Sequence, residues 1–149
     1  MAVEARPKGK VITARTPLLS TGRTTNFVAQ TDTLSIAVKV YAEGGENTLH
    51  AHTTNDHLHF VLDGQATFYD EEGNATVVNK NEGMFLPMGA YYYFHASGPT
   101  NLVLLSSYAY PNGRDGEGRL GIDGKPLPGS SEENKHVEGV PIPGKFYGD

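Results

Sequence analysis

The stretch that decides the fold is residues 44–64, G-G-E-N-T-L-H-A-H-T-T-N-D-H-L-H-F-V-L-D-G. Four of the chain's six histidines fall inside it: His50, His52, His57 and His59. Side chains two apart on a strand share a face. An extended His50-Ala51-His52 therefore aims two imidazoles at one volume, and imidazole is the commonest neutral metal ligand. Glu43-Gly44-Gly45 predicts a turn before this stretch, and Asp63-Gly64 predicts a hairpin after it.

Working outward, residues 24–30 suit a strand. After them Leu34, Ile36, Val38 and Val40 alternate with Ser35, Ala37, Lys39 and Tyr41. That period of two predicts a half-buried strand. Downstream, short strands are expected at 57–62, 65–70, 75–79, 84–86, 91–95 and 102–110, with Gly- and Asn-rich turns between them. No helical period interrupts the series, so the chain predicts a β-sandwich or barrel. Residues 1–23 form an arm with one short strand at most, and 24–110 the barrel domain. Residues 111–149, rich in Gly and Pro, cannot hold a core of their own. They form a disordered tail or an extended strap, and Val137, Val140, Ile142, Phe146 and Tyr147 favour the strap.

At 149 residues the length suits one domain. The absence of Cys excludes disulfides, thiolate ligands and cysteine nucleophiles. A net charge of -5 without a basic run argues against a nucleic-acid groove or an anionic membrane surface. No apolar run approaches the ~20 residues of a membrane span. The chain reads as a soluble, mildly acidic cytoplasmic domain.

The residues of this stretch resemble the cupin superfamily, single jelly-roll or double-stranded β-helix barrels. The family's first motif is G-x5-H-x-H-x3–4-E-x6-G. Here Gly44, His50, His52, His57 and Gly64 fall at its spacings, with His57 in the glutamate position. In the second motif, G-x5-P-x-G-x2-H-x3-N, Pro87-Met88-Gly89 match. Asn81 stands at the first glycine, Tyr92 at the histidine and Ala96 at the final asparagine. Asn81 tolerates the left-handed backbone such a turn needs.

The resemblance implies one divalent transition metal (Fe, Mn, Ni or Zn) held by His50, His52 and His57, with Tyr92 beside it as a hydrogen-bond donor or acid. His59, Phe60, Phe68, Phe85 and Phe94 are expected to line the pocket or support the ligands. His95 has the opposite parity to Tyr92 and is expected to face outward, and His136 to face solvent. Asp56 is a loop carboxylate or an outer partner of the ligand set. Three function readings follow. One is a dioxygenase-like oxidoreductase acting on a chelating enolate, catechol or diketone. The second is a metal-dependent isomerase or lyase. The third is a non-catalytic small-molecule-binding cupin, in which loss of the glutamate and second-motif histidine marks lost catalysis. The resemblance also implies a homodimer that exchanges N-terminal strands.

Overall fold

A computed structural model describes residues 4–42, 47–114 and 118–149. The turn expected at Glu43-Gly44-Gly45 lies outside the described residues. The rest is all-β. Strands run β1 (Thr16–Thr21), β2 (Arg23–Gln30), β3 (Leu34–Tyr41), β4 (His50–His52), β5 (Asp56–Asp63) and β6 (Gln65–Asp70). They continue as β7 (Ala75–Asn79), β8 (Gly83–Leu86), β9 (Tyr91–Ala96), β10 (Leu102–Ala109), β11 (Arg119–Gly121) and β12 (Val140–Tyr147).

Two five-stranded antiparallel sheets make the barrel, in the orders β2-β3-β10-β5-β8 and β11-β4-β9-β6-β7. Consecutive strands repeatedly cross from one sheet to the other, as in a jelly roll. The expected hairpin at Asp63-Gly64 is instead a tight crossing from β5 in one sheet to β6 in the other, turning at Gly64 with φ of 81°. Glycine is required there twice over, for the backbone angle and because an added Cβ would collide with the Asn101 carbonyl. Asn81 sits at φ 69°, the left-handed turn expected of it.

The alternation in β3 has an unexpected outcome. Val38 and Val40 pack with Leu19 and Val103 on the outer face of the first sheet, beneath Leu18 and Tyr147. β1 and β12 pair antiparallel with each other and lie over this face. The opposite set, which alternation alone marks as the polar side, faces the barrel interior: Tyr41 belongs to the inner core with Val61, Phe68, Phe94, Leu102 and Leu104. The strand is therefore buried on both faces rather than half-buried, because chain outside the barrel covers its apolar side.

Residues 118–149 lie against the barrel. β11 extends the second sheet beside β4, with Arg119 opposite His52. The chain then turns through a short 3-10 segment, Glu132–Asn134, ending at Lys135 in the left-handed conformation (φ 56°). Arg23 fastens this segment down, since its backbone N–H donates to the Val137 carbonyl at 2.9 Å. Among the described residues no helix is long and apolar enough to cross a membrane.

Candidate functional site: a cavity above a histidine–tyrosine cluster

β4, β5 and β9 bring the site together because each is a strand whose alternate residues face inward. On β4, His50 and His52 point into the barrel. On β5, His57 and His59 do the same while Leu58 and Phe60 face out. On β9, Tyr92 and Phe94 point in, with His50 directly opposite Tyr92. All four imidazoles and Tyr92 are buried.

Their common point is the Tyr92 hydroxyl. Its Oη lies 2.9 Å from His57 Nε2, 3.2 Å from His59 Nε2 and 3.4 Å from His52 Nε2. A phenol has one proton to donate and two lone pairs to accept with, so three imidazole nitrogens match its capacity. His59 is anchored from behind by Ser106 Oγ, 2.6 Å from its Nδ1. His50 stands apart. Its Nδ1 donates to the Thr48 carbonyl, which leaves the buried Nε2 as a bare lone pair with no hydrogen-bond partner.

Burial sets the charge state. It pushes the His50 imidazole down to about 2, with Arg119 contributing, and His57 down to about 3, with Lys39 contributing. His52 and His59 are pushed well below the ordinary value, first by burial and then by neighbouring imidazoles. The Tyr92 phenol is pushed up by burial. At neutral pH the whole cluster is uncharged.

A nitrogen ligand approaches a zinc-type ion at about 2.0–2.1 Å. Here the atom that the Nε2 nitrogens of His52, His57 and His59 surround is a phenol oxygen. Among the described residues no three His, Asp or Glu side chains are arranged to hold an ion. As arranged, these residues do not fit the metal centre expected on His50, His52 and His57. His50 lies outside the convergence and His59 within it.

A cavity of about 540 Å³ opens beside the cluster. His52 and Tyr92 reach its wall, together with Tyr41, Phe94 and Tyr108, while His50, His57 and His59 lie behind. Three cations, Arg23, Lys39 and Arg119, share that wall. Lys39 Nζ donates to Tyr108 Oη at 3.0 Å, and Arg119 donates from Nη2 to Asn134 Oδ1 at 2.8 Å. The strap contributes Gly129, Ser130, His136 and Glu138 to one side.

Several expected pocket residues lie elsewhere. Phe85 is 64% exposed, since it pairs with outward-facing Leu58 while its neighbour Leu86 points in. Phe60 shares the parity of Leu58, and its ring covers Gly83 on the outer face. Phe68 is in the core, stacked on Phe94 at 4.8 Å, and only Phe94 of that pair lines the cavity. His95 stacks on Tyr69 at 5.5 Å, outside the barrel. Asp56 accepts a hydrogen bond from the Met88 backbone at 2.8 Å, which fixes the β8–β9 turn. His136 is not a solvent histidine. Arg23 Nε donates to its Nδ1 at 3.0 Å at the cavity edge, and its Nε2 pairs with Glu138 at 3.1 Å.

Cavity residues that sequence reasoning missed include Arg23, Lys39, Arg119, Tyr41 and Tyr108.

Residues 37–108 match the family described as "Cupin domain". Comparison with curated proteins returns no match. Among solved structures, a conserved protein with a double-stranded β-helix domain from Klebsiella pneumoniae is similar over 76% of this chain and 95% of its own, at 17% identity and a TM-score of 0.64. A cupin superfamily protein from Desulfitobacterium hafniense is similar over 72% of this chain and 84% of its own (16% identity, TM-score 0.52). KdgF from a Halomonas species is similar over 61% of this chain and 82% of its own (21% identity, TM-score 0.53). The barrel, the spacing of the histidine motif and the matched residues agree on a cupin domain over residues 37–108.

Proposed function

We propose that this cupin is a small-molecule-binding protein that holds its ligand in the barrel cavity without metal chemistry. One observation carries the reading: the ring nitrogens of His52, His57 and His59 converge on the Tyr92 phenol oxygen at 3.4, 2.9 and 3.2 Å. Three of the nitrogens that would hold an ion are engaged by a neutral partner. No member of the cluster titrates near neutrality, whereas a general base works best with a pKa near the working pH. What the cluster offers a ligand is a polar wall, through the edges of His52 and Tyr92.

The metal-dependent dioxygenase is the second reading, and His50 favours it. A buried Nε2 lone pair, with Nδ1–H tied to a carbonyl, is the form in which a histidine binds a metal. In that reading His50, His52 and His57 would hold Fe, Mn, Ni or Zn, with the Tyr92 hydroxyl turned aside.

Elemental analysis of protein purified without chelators or metal-affinity resin decides between them. The binding reading expects well under one transition metal per chain and no rise in melting temperature on adding any of the four metals. One metal per chain, lost in a His50→Ala/His52→Ala variant, would establish the metal enzyme instead.

The absence of Cys fits a reducing cytoplasm, where we place the protein. We assign it a homodimer built by the arm before β1, where Val11 is 98% exposed. Light scattering should give about twice the 16.1 kDa chain mass. A mass of one chain at micromolar concentration rules the dimer out.

A further inference from the structure

The geometry points to a small aromatic carboxylate as the cavity's ligand, with the carboxylate held by Lys39 and Arg119 and the ring laid among Tyr41, Phe94 and Tyr108. The inference rests on the binding reading above and names its ligand class.

Both cations face the cavity from opposite sheets, Lys39 on β3 and Arg119 on β11. Among the described residues neither is paired with a carboxylate; the Lys and Arg ion pairs formed are Arg15–Asp149 and Lys80–Asp63. The partners Lys39 and Arg119 do have, Tyr108 and Asn134, are neutral. The Arg119 Nε is buried without a hydrogen-bond partner. A buried cation without a counter-charge is costly, and a carboxylate arriving between the two supplies the missing charge. A guanidinium and an ammonium on the wall of one cavity suit the two oxygens of one carboxylate.

The rest of the wall fixes the remainder of the ligand. Tyr41 and Phe94 meet edge to face with centroids 4.9 Å apart, and Lys39 Nζ lies 5.7 Å from the centre of the Tyr108 ring. These surfaces take a flat, unsaturated group. The neutral His52, at the cavity wall, then serves a ring hydroxyl or carbonyl. At about 540 Å³ the cavity is of ordinary small-molecule size.

The test is calorimetric titration with benzoate, salicylate, 4-hydroxybenzoate and cinnamate, each against its own primary amide. At least one acid should bind saturably, at least tenfold tighter than its amide. Lys39→Met and Arg119→Gln should each weaken that binding tenfold or more, with melting curves confirming that the variants fold. If Arg119→Gln does not fold, Lys39→Met alone decides. An amide that binds as well as its acid overturns the charge inference and leaves the cavity reading standing. Saturable binding of none of the acids at millimolar concentration overturns the inference outright. Metal content measured on the same preparation reports separately on the binding reading.

Discussion

The Tyr92 hydroxyl and His57 Nε2 stand 2.9 Å apart in the barrel interior, a hydrogen bond between two neutral groups. Around that bond the cluster is closed off, because the same oxygen also serves His59 and His52. Removing the oxygen therefore strands three nitrogens at once. Leaving a buried polar group unsatisfied costs about 1–3 kcal/mol. Tyr92→Phe keeps the ring and its packing on Phe94, so its effect isolates the hydroxyl. The expected loss is about 2 kcal/mol in urea unfolding, within that same range. A variant within 0.5 kcal/mol of the parent, about the scatter of neutral surface substitutions, would mean that the three contacts hold nothing together.

Acid should unfold this protein early. The four cluster histidines are held neutral in the folded state, with His57 at about 3 and His50 at about 2. In the unfolded chain a histidine titrates near its ordinary value of about 6.5. Between those values the unfolded chain binds the extra protons. Stability is therefore fully present above about pH 6.5 and falls as pH drops toward the folded-state values. Each histidine contributes about 1.4 kcal/mol per pH unit in that window, so four together would remove a typical 5–15 kcal/mol within a few units. Circular dichroism should show cooperative unfolding well above pH 3. Urea midpoints that stay flat from pH 7 to pH 4 would contradict neutral burial of the cluster.

Two turn glycines separate backbone strain from crowding. Gly64 and Gly73 have nearly the same angle, φ 81° and 84°. A Cβ at Gly73 would meet nothing within 4 Å, whereas one at Gly64 would strike the Asn101 backbone. Gly73→Ala should cost only the left-handed strain, about 1 kcal/mol. Gly64→Ala should cost several times as much or prevent folding. Equal melting temperatures for the two variants would show that the Asn101 contact yields freely.

Tyr92→His exchanges the phenol for a fourth imidazole next to His50, its partner across β4 and β9. That substitution removes the neutral oxygen at the convergence and supplies another nitrogen ligand. Zinc titration should then show at least tenfold tighter binding than the parent, measured by competition with a chromogenic chelator. Unchanged affinity would mean that something other than Tyr92 sets the metal preference of the barrel.

The barrel was legible in the sequence because its signals are local: period-two alternation in β3, Asp63-Gly64 at a tight turn, and Asn81 at a left-handed turn. His50, His52, His57 and His59 were legible as inward-facing for the same reason. What sequence could not supply was the identity of the partners. The role of Tyr92 depends on two other strands placing imidazoles around one atom. Phe60 was misplaced through hydrophobicity, although its parity relative to His57 and His59 already pointed outward; Phe85 lies on another strand, and only its pairing with Leu58 sets its facing. Lys39 was hidden because the apolar face of β3 suggests the interior, and only the distant pairing of β1 with β12 shows that this face is covered from outside.

That same pairing orders events during synthesis. Pro17 finds Phe146, and Thr16 finds Tyr147, across almost the whole described chain. Until Val140–Tyr147 has left the ribosome, Leu19, Val38, Val40 and Val103 lack half their cover, and the cavity lacks the wall supplied by residues 129–138. Contacts of such sequence separation form late and slowly. The nascent barrel thus passes through a stage with an adhesive apolar face and no ligand-binding competence. Both are resolved in a single final step, as the last strand docks.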